Sequence, residues 1–341
     1  MSHNNRPPSK QLPKIMVLGL GGTIVSLGET RSSEYYSIDE LDISTILKDI
    51  PEASRFADLH CDVISHKLSH HMGVSEWLTL ANRINTLLNQ EDFTGVVVAQ
   101  GTNILKETAY FLNLTIPSEK PIVLTGAMKP ANALNADGPG NLYNAIALAA
   151  HPESKNKGVL ITLNDEIHAA KTIVKNTFIL NNSFISSSGS PLGYIQGGIP
   201  YFYHIPTNKH TIHSELCLPI LEVRLDLQKI HIFYGCADNS SLFLSNVTPS
   251  NTHGIISAGM GKGYQTKSVT LMFAKLRQKG INIVRSSRHL NGIVTRDISL
   301  DDEYDFIAAG DLSPIKSRIL LSLALAKNIP QAALQRLFFE Y

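Results

Sequence analysis

The run Gly95-Val96-Val97-Val98-Ala99, followed at once by Gln100-Gly101-Thr102-Asn103-Ile104, constrains the fold of this chain more than any other stretch. Its apolar, β-branched half suits a strand buried on both faces, as in a sheet covered by helices on both sides. The character then changes within two residues. Gly101 permits a tight turn, Thr102 and Asn103 are helix-capping types, and Ile104, Leu105, Ala109 and Leu112 recur at helical spacing. Small and hydroxylic groups are thereby placed at the carboxyl edge of a sheet, where open α/β sheets bind ligands. The same residues also read as an ordinary strand–helix turn in which Thr102 or Asn103 only caps.

The same rhythm runs through the chain. Lys14 to Leu18 is a short buried strand leading into Gly19-Leu20-Gly21-Gly22-Thr23-Ile24-Val25. A dinucleotide-binding or oxidoreductase reading of that turn would need a third glycine at position 24, where isoleucine stands. Ser26 to Tyr36 is a polar loop, read either as a lid over a site or as a surface loop whose tyrosines pack on the domain. A helical pattern over 42–50 and a strand-like stretch over 57–68 follow. Ser69-His70-His71-Met72 then precedes a helix over 75–89 whose apolar stripe includes Trp77, Leu80, Ile84 and Leu87. His70 and His71 have no partner at i, i+4 spacing, so they predict surface histidines rather than a metal site.

Further strands are predicted at 121–128 and 158–163, with a turn at 135–140 and a helix over 141–148 between them. A polar connection containing Lys171 and Lys175 comes next. Pro191 to Pro206, rich in Gly, Pro and Tyr, reads with the residues to about 224 as a linker. From Leu227 a smaller α/β unit begins, with strands near 229–234, 254–258 and 282–285. Ser313 as N-cap with Pro314 at the first position opens its clearest helix. The expectation is an α/β protein with a larger N-terminal parallel-sheet domain and a smaller C-terminal α/β domain. The boundaries fall at 1–204, 205–225 for the linker, and 226–341.

A net charge of +1 offers no sustained basic face, so neither nucleic acid nor an acidic membrane is an expected partner. The three cysteines, Cys61, Cys217 and Cys236, are far apart and predict buried or inert thiols in a reducing compartment. Met1 to Lys14 lacks the apolar core of an export signal, and no later run suits a bilayer span, so a cytoplasmic location is expected.

Several of these residues form a recognisable set. Gly21-Gly22-Thr23-Ile24 resembles the first signature of the bacterial-type L-asparaginases, and Gln100-Gly101-Thr102-Asn103 with Glu107 to Leu112 resembles their second. The similarity continues in order through Leu124 to Met128, Ala136 to Pro139, Asn141 to Asn144, Pro191 to Ile195 and Val284 to Arg288. The resemblance implies the two-domain fold and a homodimer or homotetramer. It also implies hydrolysis of a side-chain amide through an acyl-enzyme on a threonine, without metal or cofactor. On the same ground Thr23 stands as nucleophile, Tyr36 (or Tyr35, if the loop carries a gap) as its loop partner, Thr102 as the second threonine and Lys175 as its paired lysine. Ser69, with His70, Gly101 and Asn103, would hold the substrate. A threonine hydroxyl needs a base to take its proton, and a lysine can serve only with a lowered pKa.

The departures from the family pattern cluster. Where the family has His-Gly-Thr-Asp-Thr, this chain has Gln100 to Ile104, with neutral Asn103 in place of the aspartate. His70 stands where glutamine is common. The acid that the family lends to a neighbouring subunit falls at about Ser299, beside Asp297, and its partner asparagine at about Tyr264. Those family groups bind the substrate's α-ammonium, and in a desolvated site a missing charged partner costs on the order of 2–5 kcal/mol. The expected substrate is therefore a small amide or ester without a free α-ammonium. The alternatives are ordinary L-asparaginase activity and a catalytically dead ligand-binding relative.

Overall fold

In the computed structural model, which describes residues 11–32, 36–37, 41–179, 182–217 and 225–341, the apolar runs form the expected strands. The chain opens with β1 (Lys14–Gly19), a short ladder of β2 (Leu27–Gly28) with β3 (Tyr36–Ser37), and α1 (Ile43–Lys48). Strand and helix then alternate through β4 (Asp58–Val63), α2 (Val74–Asn89), β5 (Gly95–Ala99), α3 (Leu105–Thr115), β6 (Ile122–Thr125), α4 (Gly138–Ala150) and β7 (Val159–Leu163). Strands β4, β1, β5, β6 and β7 lie side by side and parallel. Side chains alternate along β1: Met16 and Leu18 pack with α2 and α3, Ile15 and Val17 with α1 and α4. Each face of the sheet thus carries its own helical cover, as parallel strands require.

The chain leaves β1 through α1 toward β4 on one side, then crosses back through α2 to β5 on the other. The boundary between β1 and β5 is therefore the topological switch point, where a crevice opens at the carboxyl ends of the strands.

Two stretches fold differently from their sequence reading. The polar connection around Lys171 and Lys175 is strand: β8 (Glu166–Ala169) pairs antiparallel with β7, and β9 (Ile173–Lys175) pairs with β10 (Phe184–Ser186) in a separate ribbon. Asn164 and Asp165 both have positive φ (51° and 64°), the two-residue hairpin turn that such residues tolerate best. The Gly-Pro-Tyr-rich stretch expected as linker begins with another hairpin, β11 (Gly193–Gln196) and β12 (Ile199–Phe202), turned by Gly197 and Gly198 at positive φ. It extends the large sheet to eight strands. In the expected 205–225 linker, Ser214 Oγ donates to the Leu114 carbonyl at 2.6 Å and Glu215 N to the Tyr341 hydroxyl at 2.7 Å. These bonds pin the segment to α3 and to the chain's last residue. Residues 218–224 lie outside the described residues.

The smaller unit has β13 (Ile230–Tyr234), β14 (Gly254–Gly259), α5 (Lys267–Gln278), β15 (Asn282–Ser287), β16 (Ile307–Ala308), α6 (Pro314–Ala326) and α7 (Gln331–Glu340), its four strands parallel. Ser313 caps α6 as expected. One apolar core runs from α2 and α3 into α6 and α7, so the two units are packed together. Among the described residues, no helix is long and apolar enough to cross a membrane. Of the thiols expected to be buried or inert, none is fully buried: Cys61 and Cys236 are exposed, and Cys217 is half-buried.

Candidate active site

Because β1 and β5 are parallel neighbours with Gly19 opposite Ala99, the chain leaves both strands at one level. The two following turns are pressed together: a Cβ on Gly22, whose φ is +92°, would stand 2.3 Å from the Gly101 Cα. Only glycine satisfies both the backbone angle and the approach. Thr23 opens a single 3₁₀ turn, Thr23–Val25, and Ser26 Oγ donates to the Gly22 carbonyl at 3.0 Å. The turn Ser69–His71 closes in from a third side, since a Cβ on Gly101 would meet Ser69 Oγ at 2.6 Å.

These turns border one cavity of about 510 Å³, lined among others by Thr23, Ser69, His70, Gly101, Thr102, Asn103 and Lys175. Thr23, Ser69 and Thr102 are largely buried, at 9%, 3% and 6% exposure. Helix α3 starts only at Leu105 and has no side-chain cap, so the capping reading of Thr102 and Asn103 does not hold. The Thr102 hydroxyl instead accepts a hydrogen bond from Lys175 Nζ at 2.7 Å. Lys175 Nζ also reaches Asn103 Oδ1 at 3.5 Å, and Asn103 Nδ2 lies 3.4 Å from His70 Nδ1. Burial, and then the nearby charge of Lys106, lowers the Lys175 pKa. A lysine held toward its neutral form beside a threonine hydroxyl is an acid–base pair able to pass a proton.

The loop after Thr23 is tied at its base. Leu27 pairs with Ser37 and Gly28 with Tyr36, while Asn132 clamps Gly28 through Gly28 N to Oδ1 at 2.8 Å and Nδ2 to Gly28 O at 2.7 Å. The Tyr36 backbone is therefore placed, but its side chain and all of Tyr35 lie outside the described residues.

Sequence reasoning missed part of the wall. After β6, the Asp137 carboxylate accepts from Met128 N at 2.9 Å and Lys129 N at 2.9 Å, and Asn141 Nδ2 donates to the Gly126 carbonyl at 2.9 Å. This latch folds Ala127 to Pro130 over the cavity. The motifs Leu124 to Met128 and Ala136 to Asn144 carried that signal without a stated role. Among the described lining residues, Arg31, Lys129 and Lys175 are cationic, and none is Asp or Glu. Tyr264, Asp297 and Ser299 are not brought to this cavity. They form a cluster on the smaller unit in which Asp297 accepts from Ser299 Oγ at 2.7 Å and from Tyr264 OH at 3.1 Å.

Comparison with known proteins places this geometry among relatives. The family model described as the N-terminal asparaginase domain matches residues 14–207, and that of the glutaminase/asparaginase C-terminal domain matches residues 229–338. L-asparaginase 2 of Escherichia coli strain K12 is 36% identical over 331 residues, covering 97% of this chain and 94% of that protein. A glutaminase-asparaginase of Pseudomonas fluorescens biotype A is 36% identical over 335 residues, 97% of this chain and 91% of its own. A solved structure described as a probable cytoplasmic L-asparaginase from Campylobacter jejuni superposes with a TM-score of 0.91 at 38% identity, covering 96% of this chain and all of that one.

Proposed function

The chain belongs to the bacterial-type asparaginase family, an amidohydrolase family, and on that premise we propose that it cleaves the side-chain amide of L-asparagine through an acyl-enzyme on Thr23. The observation that carries this reading is the 2.7 Å contact of Lys175 Nζ with Thr102 Oγ1 in the cavity that Thr23 also lines. Thr23 Oγ attacks the carboxamide carbon as its proton is taken up. The C–N bond breaks, and the nitrogen leaves as ammonia with the proton returned to it. Water then adds to the acyl carbon, the bond to Thr23 Oγ breaks, and the acid departs. Thr102 and Lys175 relay the proton in each half, and backbone N–H groups of the glycine turns steady the oxyanion. Ser69 takes the substrate's carboxylate, beside His70, Gly101 and Asn103. Tyr36 completes the site from the loop.

The named activities of the relatives favour L-asparagine over the substrate without an α-ammonium that the departures suggest. A second reading keeps one observation of its own. With Arg31 and Lys129 but no carboxylate among the described lining residues, the cavity of a single chain suits a monoamide such as succinamate better than an ammonium-bearing amino acid. Assembly as a homo-oligomer and a cytoplasmic location complete the proposal. The second agrees with the description of the Campylobacter jejuni relative.

Ammonia release from L-asparagine, L-glutamine, N-acetyl-asparagine and succinamate tests the two readings together. Turnover of L-asparagine ahead of succinamate supports the first, and the reverse order supports the second. Absence of turnover on all four, with ligand still bound, leaves a binding protein. Asn103→Asp restores a carboxylate 3.5 Å from Lys175 and should improve kcat/KM for L-asparagine relative to succinamate by roughly tenfold or more. An unchanged ratio would show that Asn103 does not face the α-substituent.

A further inference from the structure

We propose that Lys316 is a positioning residue for Lys175: from the smaller unit it anchors the strand that carries the amine to Thr102. The inference rests on the acid–base role just assigned to Lys175. Strand β9 is only three residues long, and among the described residues its ladder partner is β10 alone. Across that ribbon Ser187 N donates to the Thr172 carbonyl at 2.9 Å and Asn176 N to the Ser183 carbonyl at 2.8 Å. Backbone groups alternate in direction along a strand, so Lys171 and Ile173 turn their carbonyls to the opposite edge. Lys316 Nζ meets both there, donating to Lys171 O at 2.6 Å and to Ile173 O at 2.8 Å.

The anchor is held firmly. Lys316 occupies the first turn of α6 and is 2% exposed, and Ile319, Leu320 and Leu323 fix that helix in the shared core. Its Nζ lies 5.9 Å from the centre of the Tyr110 ring on α3. Among the described residues no carboxylate is bonded to it, and the nearby Asp311 pairs with Lys171 at 2.9 Å. Burial first, then the charges of Lys106 and Lys171, push the Lys316 pKa down to about 7 against the opposing pull of Asp311 and Glu107. An amine that loses one proton keeps two N–H groups for its two carbonyls, so the anchor survives its titration. Burying an amine is costly unless it is hydrogen-bonded, and here the bonds that offset the cost run from one unit to the backbone of the other. What it orders is the register of Ile173 to Lys175.

The experiment compares Lys316→Met, Lys316→Gln and Lys175→Met in the full chain, by steady-state ammonia release across pH and by thermal unfolding. If Lys316 positions Lys175, Lys316→Met lowers kcat about tenfold to a hundredfold with KM little changed, the scale on which a displacement of about 1 Å is felt. The ascending limb of its pH profile also moves toward that of an ordinary lysine, because the amine is no longer held in its desolvated place. Lys316→Gln, which keeps two N–H donors, recovers part of both effects and serves alone if the Met variant does not fold. A lowered Tm with unchanged kcat per folded molecule and an unchanged pH limb overturns the proposal while Lys175→Met remains inactive. Activity retained in Lys175→Met removes the assigned base, and this inference with it.

Discussion

Replacing Lys175 by methionine is expected to slow ammonia release by about a hundredfold to ten-thousandfold, the usual worth of a positioned acid–base group, without loss of the fold. The half-buried side chain stays unbranched and loses one heavy atom in the substitution, and no buried charge is left behind. Thr102→Val should lose a comparable factor, because the hydroxyl and the amine act as one unit through their 2.7 Å contact. The double variant should then be little worse than the poorer single one. Single-turnover rates for the three proteins decide the matter: losses that simply multiply would mean two independent roles.

The same lysine sets the pH dependence. As a base it works only when neutral, and burial followed by the charge of Lys106 lowers its pKa. The ascending limb of kcat/KM should therefore lie below the ordinary lysine value of about 10.4. The sign for stability follows from linkage. Between the lowered folded pKa and the ordinary unfolded one, the unfolded chain binds more protons, so stability rises with pH across that window. Below the folded pKa, both states are protonated and the cost of burying the ammonium is present in full. Lys175→Met should flatten this part of a Tm-versus-pH curve.

Breaking the ion pair of Arg285 and Asp301 should have the largest effect on stability, about 3–5 kcal/mol in urea unfolding. Arg285 Nε and Nη2 grip the two carboxylate oxygens at 2.6 Å each, with the side chains only 4% and 0% exposed. The guanidinium also donates to the Lys262 carbonyl at 2.9 Å and the Thr295 carbonyl at 3.0 Å, while Asp301 accepts from Asp297 N at 2.8 Å. Either Arg285→Met or Asp301→Asn strands the surviving partner in a dry interior, a loss comparable with much of a domain's total stability. The double change to Met and Leu should cost less than either single one. Equal or larger destabilisation in the double variant would assign the effect to the backbone contacts rather than to the charges. Those contacts hold the loops carrying Tyr264 and Ser299. Lost order in both loops is therefore expected alongside the lost stability.

Much of the fold is legible because the period of the apolar pattern is local. Val96 to Ala99 could be little but a strand covered on both faces, and the Trp77 to Leu88 stripe little but a helix. Gly22 and Gly101 are legible as turns, but their mutual approach is not, since it depends on which strands become neighbours. The hairpins at Asn164-Asp165 and Gly197-Gly198 join runs of four residues or so, too short for a period to declare itself. That the Thr102 hydroxyl serves Lys175 rather than a helix cap was hidden for another reason. A threonine before a helix looks the same whether or not it caps, and only the start of α3 at Leu105 distinguishes the two.

By itself the sequence determined the strands and helices of the parallel sheets, the glycine turns and the chemical types available at the sheet edge, because those follow from neighbours a few residues apart. The tertiary structure alone decided that Lys175 meets Thr102 across 73 residues and that Lys316 reaches Ile173 across 143. Such contacts depend on strand register and on how two units pack, and those are set by the burial of whole faces rather than by any local signal.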